Sequence, residues 1–295
     1  MILVAGGTGR LGTLVVERLT ARGLEVRVLT RKPARAAHLP RLTEVVIGDV
    51  RDPADVEAAM AHVDVVVSAV QGFAGPGRVT PDSVDRAGNA NLTDAAARAG
   101  AEVVLVSVVG ASPDSPLHLF RAKHAAEEYL VASGASWTIV RATAFVELWA
   151  EIMAKPIVLG RGDNPINFVS VADVASVIDR AVTERSQRGE VLEVGGPGNI
   201  TFNELAAILQ QIRGTHSKVH HVPRWMLRTA APFDRRARAA ITMDTSDMSF
   251  DRPDHGLLAG LPATDLRAAL TNDVRLGSAI QGTGNAGGAS PPPRP

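Results

Sequence analysis

The chain opens with Met1-Ile-Leu-Val-Ala5 and continues directly into Gly6-Gly-Thr-Gly-Arg-Leu-Gly12. A short, wholly apolar run of this kind predicts a buried strand. Leu14 and Leu19 follow at helical spacing, and the pattern ends at Gly23. A strand, a glycine turn and a helix in this order place backbone N–H groups and the positive end of a helix dipole against a phosphate group. The opening therefore predicts a dinucleotide-binding unit of a parallel α/β sheet.

The three spaced glycines have separate reasons to be glycine. Gly6 makes the turn, Gly9 lets a pyrophosphate approach the backbone, and Gly12 lets the helix pack on the strand. Glycines also mark ordinary tight turns, but these stand between a strand and a helix. The neighbours expected to contact the same cofactor are Thr8, Arg10 and Leu11.

The end of the second predicted strand, Glu25–Thr30, indicates which cofactor is bound. An NAD site has an acid about 20 residues beyond the glycines to bind the ribose 2′-hydroxyl. Here the strand ends in Thr30-Arg-Lys-Pro-Ala-Arg35, with no acid and three cations. Such cations suit a 2′-phosphate, which Arg10 could also reach, whereas the alternative is a solvated basic turn. Thr30, Arg31 and Lys32 therefore favour NADP(H) over NAD(H).

Composition excludes several classes of protein. Lys plus Arg and Asp plus Glu both number 31 in 295 residues, so no overall field attracts nucleic acid or an anionic membrane. The chain has no cysteine, which excludes disulfides, thiol nucleophiles and cysteine-ligated metals. No apolar stretch approaches the ~20 residues of a membrane span, and a core strand comes first where a signal peptide would stand. We expect a cytoplasmic protein with no nucleic-acid or membrane partner.

Strand and helix patterns alternate along the chain, as a doubly wound parallel α/β sheet requires. We predict a Rossmann core over residues 1–145, completed by about 165–198, and a small C-terminal substrate-binding region over 146–276. Residues 277–295 are rich in Gly, Ser and Pro and predict a disordered tail. Further strands are expected at 44–49, 64–70, 102–108, 136–141, 157–159 and 190–194. Further helices are expected at 53–62, 116–132, 146–154, from about 171, and after the capping box Thr201–Glu204 to 213.

Several further motifs together resemble one known family. They are the glycine turn, Gly48-Asp49, Lys123 with Glu127, Ile139-Val-Arg141 followed by Phe145, Phe168-Val-Ser-Val-Ala-Asp173, and Gly195-Gly-Pro with Thr201-Phe-Asn-Glu-Leu205. Over residues 1 to about 212 the chain resembles the NmrA-like branch of the atypical short-chain dehydrogenases/reductases. The resemblance implies cofactor contacts at Asp49, Val50, Ala69, Val70, Lys123, Ala144 and Phe145. It leaves function open, because members include quinone and other small-molecule reductases, redox-sensing regulators and non-catalytic respiratory subunits.

The chain departs from the wider superfamily in its catalytic motif. Reductases of the superfamily use Tyr-x-x-x-Lys, in which the tyrosine donates a proton. Lys123 stands in the lysine position, but Leu119 replaces the tyrosine, and Tyr129 lies on the other side of Lys123. Lys123 remains the candidate catalytic residue, binding the nicotinamide ribose or stabilising an oxyanion. The alternative is a solvated lysine paired with Glu127 one helical turn on.

Other polar residues offer weaker signals. His118 or His124 could replace the missing acid, although surface histidine is the plainer interpretation, and Ser107 resembles an ordinary strand-end residue. His216, His220 and His221 have no obvious carboxylate beside them, so no metal site is expected.

A basic stretch near residue 230 also has two interpretations. Arg224–Arg228 with Arg235–Arg238 could bind nucleic acid or an anionic substrate, but Trp225, Met226 and Leu227 look more like a buried helix face. The candidates for an apolar substrate wall are Phe145, Leu148, Trp149, Trp225 and Met226.

Together these features predict an NADPH-dependent oxidoreductase that transfers hydride to a small apolar acceptor such as a quinone. Quinones need little proton donation from the protein, which agrees with the missing tyrosine. The alternative is a non-catalytic NADP(H)-binding redox sensor or regulator with a protein partner.

Overall fold

A seven-stranded parallel sheet forms the core of the computed structural model, which describes residues 1–73, 77, 79–251, 256–257 and 261–272. Its strands are β1 (Ile2–Ala5), β2 (Val26–Thr30), β3 (Glu44–Ile47), β4 (Val65–Ser68), β5 (Glu102–Val108), β6 (Trp137–Ala142) and, after three strands that lie outside this sheet, β10 (Val191–Val194). They lie in the order β10-β6-β5-β4-β1-β2-β3, and all neighbours are parallel. The chain changes direction across the sheet between β1 and β4, where such folds bind ligands. The predicted Rossmann-type α/β fold is confirmed.

Helices cover both faces of this sheet. One face carries α1 (Arg10–Ala21) and α6 (Val171–Thr183), and the other carries α2 (Pro53–Ala59), α3 (Ala87–Ala99) and α4 (His118–Ala132). Arg22 joins the first two helices by donating from Nε and Nη2 to the two carboxylate oxygens of Asp179, both at 2.7 Å. The strands are apolar on both faces because both faces are covered.

The chain beyond residue 143 encloses a separate apolar cluster that includes Phe168, Phe202, Leu205 and Met243. Its elements are β7 (Ala144–Phe145), α5 (Val146–Ile152), β8 (Ile157–Leu159), β9 (Ile166–Val169), β11 (Asn199–Ile200), α7 (Phe202–Arg213), β12 (His220–Val222), α8 (Arg224–Ala230) and α9 (Arg235–Thr245). Residues 266–272 are helical. The division into a cofactor region and a substrate region stays a prediction.

Most predicted elements appear within a few residues of their expected bounds, and the capping box at Thr201 opens α7 as expected. The short strands β7 and β11 were missed, and so were two larger features. Strand β9 was not predicted, because its partners β7 and β11 come from distant parts of the chain and its Asn167 interrupts the apolar run. Residues Pro81–Arg86 form a π-helical turn before α3, which the sequence pattern did not predict.

The predicted buried face of α8 is wrong for two of its three residues. Leu227 is buried, but Trp225 and Met226 are 66% and 45% exposed. The predicted disordered tail, 277–295, lies outside the described residues. Among the helices that the structure describes, none is long and apolar enough to cross a membrane.

Candidate functional site

The glycine turn lies at the carboxyl end of β1, directly beside the end of β4. Gly6 has a φ of +85°, and a Cβ atom there would lie 2.6 Å from the carbonyl oxygen of Ala69. A Cβ on Gly12 would lie 2.7 Å from the Cα atom of Gly7 and still closer to the carbonyl oxygen of Gly6. Close backbone packing therefore requires glycine at positions 6 and 12.

Gly9 has a different environment. A Cβ atom there would meet only the carbonyl oxygen of Gly6, at 3.3 Å, and the residue is exposed. Gly9 is also the N-cap of α1, which has neither a side-chain cap nor an acid in its first turn. The positive end of the helix thus faces the open side of the turn, an arrangement that fits a pyrophosphate.

The other residues predicted in this loop have different positions. Leu11 packs its side chain into the core, so only its backbone can face a ligand. The hydroxyl of Thr8 lies 3.4 Å from that of Thr30. Arg10 pairs with Glu151 of α5, which joins the glycine loop to the chain beyond residue 145.

The end of β2 presents cations beside the glycine turn. Thr30 is buried, and its hydroxyl accepts a hydrogen bond from the backbone N–H of Lys32 at 3.2 Å, which shapes the turn. Arg31 and Lys32 are exposed, and neither forms an ion pair with another described residue. Both side chains can therefore reach an anion bound at this edge.

Asp49 and Val50 follow β3 at the same edge. Arg51 Nη2 lies 2.6 Å from Asp49 Oδ2, and this hydrogen bond, together with the charge of Arg31, keeps the pKa of Asp49 below its ordinary value. Val50 is buried, and its carbonyl oxygen accepts a hydrogen bond from Asn91 Nδ2 at 2.9 Å. An ionised carboxylate thus stands among the cations at this end of the crevice.

The remaining predicted contacts follow β4 and β6. Ala69 and Val70 come directly after β4, where Ala69 abuts Gly6. Ala144 and Phe145 form β7, which pairs in parallel with Phe168–Val169 of β9. All four residues follow the carboxyl ends of sheet strands, at the edge to which the glycine turn belongs.

Lys123 is buried, and three oxygen atoms surround its ammonium group. Nζ donates to the carbonyl oxygens of Val70 at 3.1 Å and Val106 at 2.9 Å, and it lies 3.1 Å from Oδ1 of Asp85. The alternative of a solvated lysine is wrong. Glu127, its proposed partner, instead binds Arg141 of β6 at 2.6 Å. Two of the three protons of this ammonium group are thus donated to carbonyl oxygens, and the Asp85 carboxylate balances its charge as an ion pair without a hydrogen bond to Oδ1.

Asp85, which the sequence pattern did not single out, connects Lys123 to a wider network of buried hydrogen bonds. Its Oδ2 accepts from the backbone N–H of Gly72 at 2.8 Å, and its carbonyl oxygen accepts from Asn89 Nδ2 at 2.6 Å. Ser68 of β4 lies 2.5 Å from Asn89 Oδ1. No local pattern could have paired Asp85 with Lys123, since 38 positions separate them and neither belongs to a recognisable motif with the other.

Comparison with known proteins identifies the family. The family described as NAD(P)H-binding matches residues 6–185, which is more than half of the chain. The chain belongs to this family. The resemblance to NmrA-like atypical short-chain dehydrogenases/reductases is thereby confirmed, and so is NAD(P)H as the class of cofactor. The contacts of the glycine turn with that cofactor stay a prediction.

Individual relatives support the same grouping. The chain is 30% identical to NAD(P)H azoreductase of Xenophilus azovorans over 72% of this chain and 74% of that protein. It is 28% identical to photosystem II assembly factor Ycf39 of Synechocystis over 79% and 74%. The NADPH-dependent quinone oxidoreductase of Escherichia coli, complexed with NADPH, shares its fold with a TM-score of 0.75, at 24% identity over 92% of this chain and 99% of that one.

Among the described residues of this NAD(P)H-binding domain, no side chain takes the place of the superfamily tyrosine. Leu119 is half-buried in the first turn of α4. Tyr129 is exposed and donates to Asp94 Oδ1 at 2.8 Å, which raises the pKa of its phenol. His118 lies 3.0 Å from Asp82 and His124 3.5 Å from Glu128. The hydroxyl of Ser107 is buried without a hydrogen-bond partner among the described residues.

The described residues form no cluster of three or more side chains that could hold a metal ion, and the absence of a metal site stays a prediction. His221 Nε2 lies 2.8 Å from Asn203 Oδ1. It borders an open depression of about 530 Å³ with Arg161 and Arg224, outside the glycine turn.

The residues predicted to form an apolar substrate wall do not all lie together. Trp149 packs on Phe202 with ring centroids 4.7 Å apart, whereas Trp225 is exposed.

We expect Gly9→Val and Gly12→Val to fail in different ways. Gly12→Val should destabilise the fold by about 1–3 kcal/mol or more, because its side chain must displace backbone atoms. Gly9→Val should leave the fold intact but abolish NADPH binding, because its side chain would fill the pyrophosphate path. Urea denaturation and calorimetric titration with NADPH measure the two effects. Unchanged cofactor affinity in Gly9→Val would remove the basis for placing the pyrophosphate here.

A double-mutant cycle tests the buried pair. Lys123→Met should cost about 3–5 kcal/mol of unfolding free energy, because it leaves the carboxylate of Asp85 buried without a counter-charge. Lys123→Met with Asp85→Asn should recover part of that loss, as measured by urea denaturation. The control is the exposed pair Arg98–Glu57, whose removal should cost less than about 1 kcal/mol. Equal losses for both pairs would contradict a buried ion pair.

Proposed function

We propose that this chain is an NADPH-dependent oxidoreductase that transfers hydride to a small apolar acceptor such as a quinone. The observation that carries the proposal is a glycine turn, open at Gly9, beside an acid-free strand end where Arg31 and Lys32 are exposed. The relative named an NAD(P)H azoreductase supports a reductase activity.

The preference for NADPH rests on charge at the end of β2. A 2′-phosphate would be bound by Arg31 and Lys32, whose guanidinium and ammonium groups have no competing ion pair among the described residues. The neighbouring Asp49 carboxylate is already neutralised by Arg51, so it repels a phosphate less than a lone carboxylate would.

The preference for a quinone rests on the absence of a proton donor at position 119 of α4. The bound cofactor would supply a hydride to the acceptor. Leu119 cannot donate a proton, and the buried ammonium group of Lys123 is bound by two carbonyl oxygens and paired with the charge of Asp85. A quinone takes the hydride and then a proton from water, so its reduction needs no acid from the protein, whereas a simple ketone needs one.

We assign Lys123 a positioning role in this reaction. Its ammonium group joins the backbone after β4, at Val70, to β5, at Val106. Val70 follows the end of β4 beside the glycine turn, and Val106 lies within the neighbouring β5, so Lys123 would hold the wall against which the nicotinamide would lie. The side chain itself need not touch the acceptor.

The same observation favours the second candidate function, a non-catalytic NADP(H)-binding regulator with a protein partner. A site with no free acid and an occupied lysine can bind a dinucleotide without turning it over. One relative is named a photosystem II assembly factor, a name that describes assembly and not a reductase. Tight NADPH binding with no oxidation by any quinone, azo or dye acceptor would select this alternative.

Arg31→Ala tests the cofactor preference. We expect it to weaken NADPH binding by about 1–3 kcal/mol and to leave NADH nearly unchanged, because only the 2′-phosphate meets Arg31. Arg185→Ala, an exposed arginine after α6, is the control and should change neither. Calorimetric titration with both cofactors measures the effect, and equal losses for the two cofactors would show that Arg31 does not recognise the phosphate.

Acceptor specificity tests the role of Leu119. The native protein should reduce quinones and show ketone reduction slower by about 10²–10⁴, the usual contribution of a general acid. Leu119→Tyr restores the superfamily pair and should raise ketone reduction relative to quinone reduction, whereas Leu119→Phe, a control of similar size, should not. Steady-state NADPH oxidation with matched acceptors measures both ratios. Efficient ketone reduction by the native protein would contradict this mechanism.

A further inference from the structure

The helical hairpin of α8 and α9 presents large apolar side chains to solvent. Trp225 is 66% exposed, Met226 45% and Phe233, in the turn between the helices, 93%. Three such residues within nine positions are unusual for the free surface of a soluble protein, and exposed apolar patches of this kind mark interaction sites. We call Trp225–Arg238 the hairpin surface.

The helical phase of α8 explains why these side chains point outward. Successive residues are about 100° apart around a helix, so Arg224 and Leu227 share the inner side. Leu227 is buried, and Arg224 anchors the hairpin by donating from Nη2 to the carbonyl oxygen of Asp244 at 2.8 Å. Trp225 and Met226 then occupy the outer side. Their exposure follows from how the hairpin is anchored.

Cations surround the apolar side chains. The chain as a whole has equal numbers of acidic and basic residues, but residues 225–238 contain four arginines and a single acid, Asp234. That carboxylate accepts the backbone N–H of Arg236 at 2.7 Å and caps α9. Arg228, Arg235 and Arg236 are exposed and form no ion pair with other described residues. The hairpin surface is therefore both apolar and cationic.

We propose that the hairpin surface docks on an anionic lipid membrane. Trp225, Met226 and Phe233 would enter the boundary between headgroups and acyl chains, which tryptophan in particular favours. Arg228, Arg235 and Arg236 would lie among the anionic headgroups, their apolar stems following the apolar side chains inward. Docking of this kind takes place at the membrane surface and needs no membrane-spanning helix, which the described residues do not contain.

Charge and composition disfavour two other partners for the hairpin surface, a second copy of this chain and single-stranded nucleic acid. A second copy bound through the same surface about a twofold axis would bring the two arginine clusters together. Single-stranded nucleic acid would stack on the two aromatic rings. It would make no comparable use of Met226 or of the exposed aliphatic residues between them, Ala230 and Pro232. A lipid surface uses all of these features.

Vesicle binding by the full-length protein tests the proposal without using the proposed activity. The protein is co-sedimented with vesicles of phosphatidylcholine alone, and with vesicles containing about one-third phosphatidylglycerol, at low and high salt. We expect binding to the anionic vesicles to be about tenfold tighter or more, to weaken at high salt, and to shift tryptophan emission to the blue.

Two variants and a matched control separate the contributions. Trp225→Ser with Phe233→Ser should abolish vesicle binding, and Arg235→Gln with Arg236→Gln should weaken binding to anionic vesicles about tenfold or more while leaving the weak binding to neutral vesicles unchanged. Arg41→Gln with Leu42→Ser alters one exposed arginine and one exposed apolar residue elsewhere and should bind like the native protein. Thermal unfolding checks that all variants are folded.

Three results would overturn the proposal. One is no vesicle binding by the folded native protein, and another is binding that ignores lipid charge or is equally lost in the control. The third is that Trp225→Ser with Phe233→Ser instead abolishes a dimer seen by ultracentrifugation or binding to a single-stranded oligonucleotide. NADPH oxidation is measured separately, so failure of either proposal leaves the other standing.

Discussion

The ammonium group of Lys123 lies in the protein interior, held by the carbonyl oxygens after β4 and within β5 and by the carboxylate of Asp85. Moving an unpaired ammonium group out of water is costly, so this lysine is stable there only because opposite charge and hydrogen-bond acceptors meet it. The arrangement joins α4 to the π-helical turn at Pro81–Arg86, to the backbone just after β4 and to β5. The backbone after β4 lies beside the glycine turn, so Lys123 secures one side of the crevice there.

The glycine turn depends on the same neighbourhood from the other side. Gly6 can approach Ala69 closely because it has no side chain, and Ala69 precedes the residue that Lys123 holds. Gly12 lets α1 begin directly at the turn, which aims the helix dipole at the open space above Gly9. The edge of the sheet at the glycine turn is thus formed by close backbone contacts that only glycine permits. The buried side chain of Lys123 secures the neighbouring backbone at Val70.

This arrangement gives the family position of Lys123 a different chemical meaning from the one expected. In the tyrosine–lysine motif, the lysine lowers the pKa of a proton donor. Here Leu119 has no proton to donate, and Lys123 instead binds the backbone carbonyl oxygens of Val70 and Val106 and pairs with Asp85. Under the proposed function, the hydride would come from the bound cofactor, and the acceptor would need no acid from the protein. The exposed α8–α9 hairpin adds a surface whose apolar and cationic residues do not belong to the crevice at all.

The amino-acid sequence by itself determined the strands of the central sheet, the Rossmann fold and the glycine turn after β1, since each depends on local periodicity and on glycines in a strand–turn–helix context. The Asp85–Lys123 pair, the Glu127–Arg141 pair and strand β9 were decided only by tertiary structure. Each joins residues from separate elements, and their pairing depends on how those elements pack. The exposure of Trp225 and Met226 has the same origin: an apolar stripe on a helix shows that one face could be buried, but only the anchoring of α8 through Arg224 and Leu227 determined which face was.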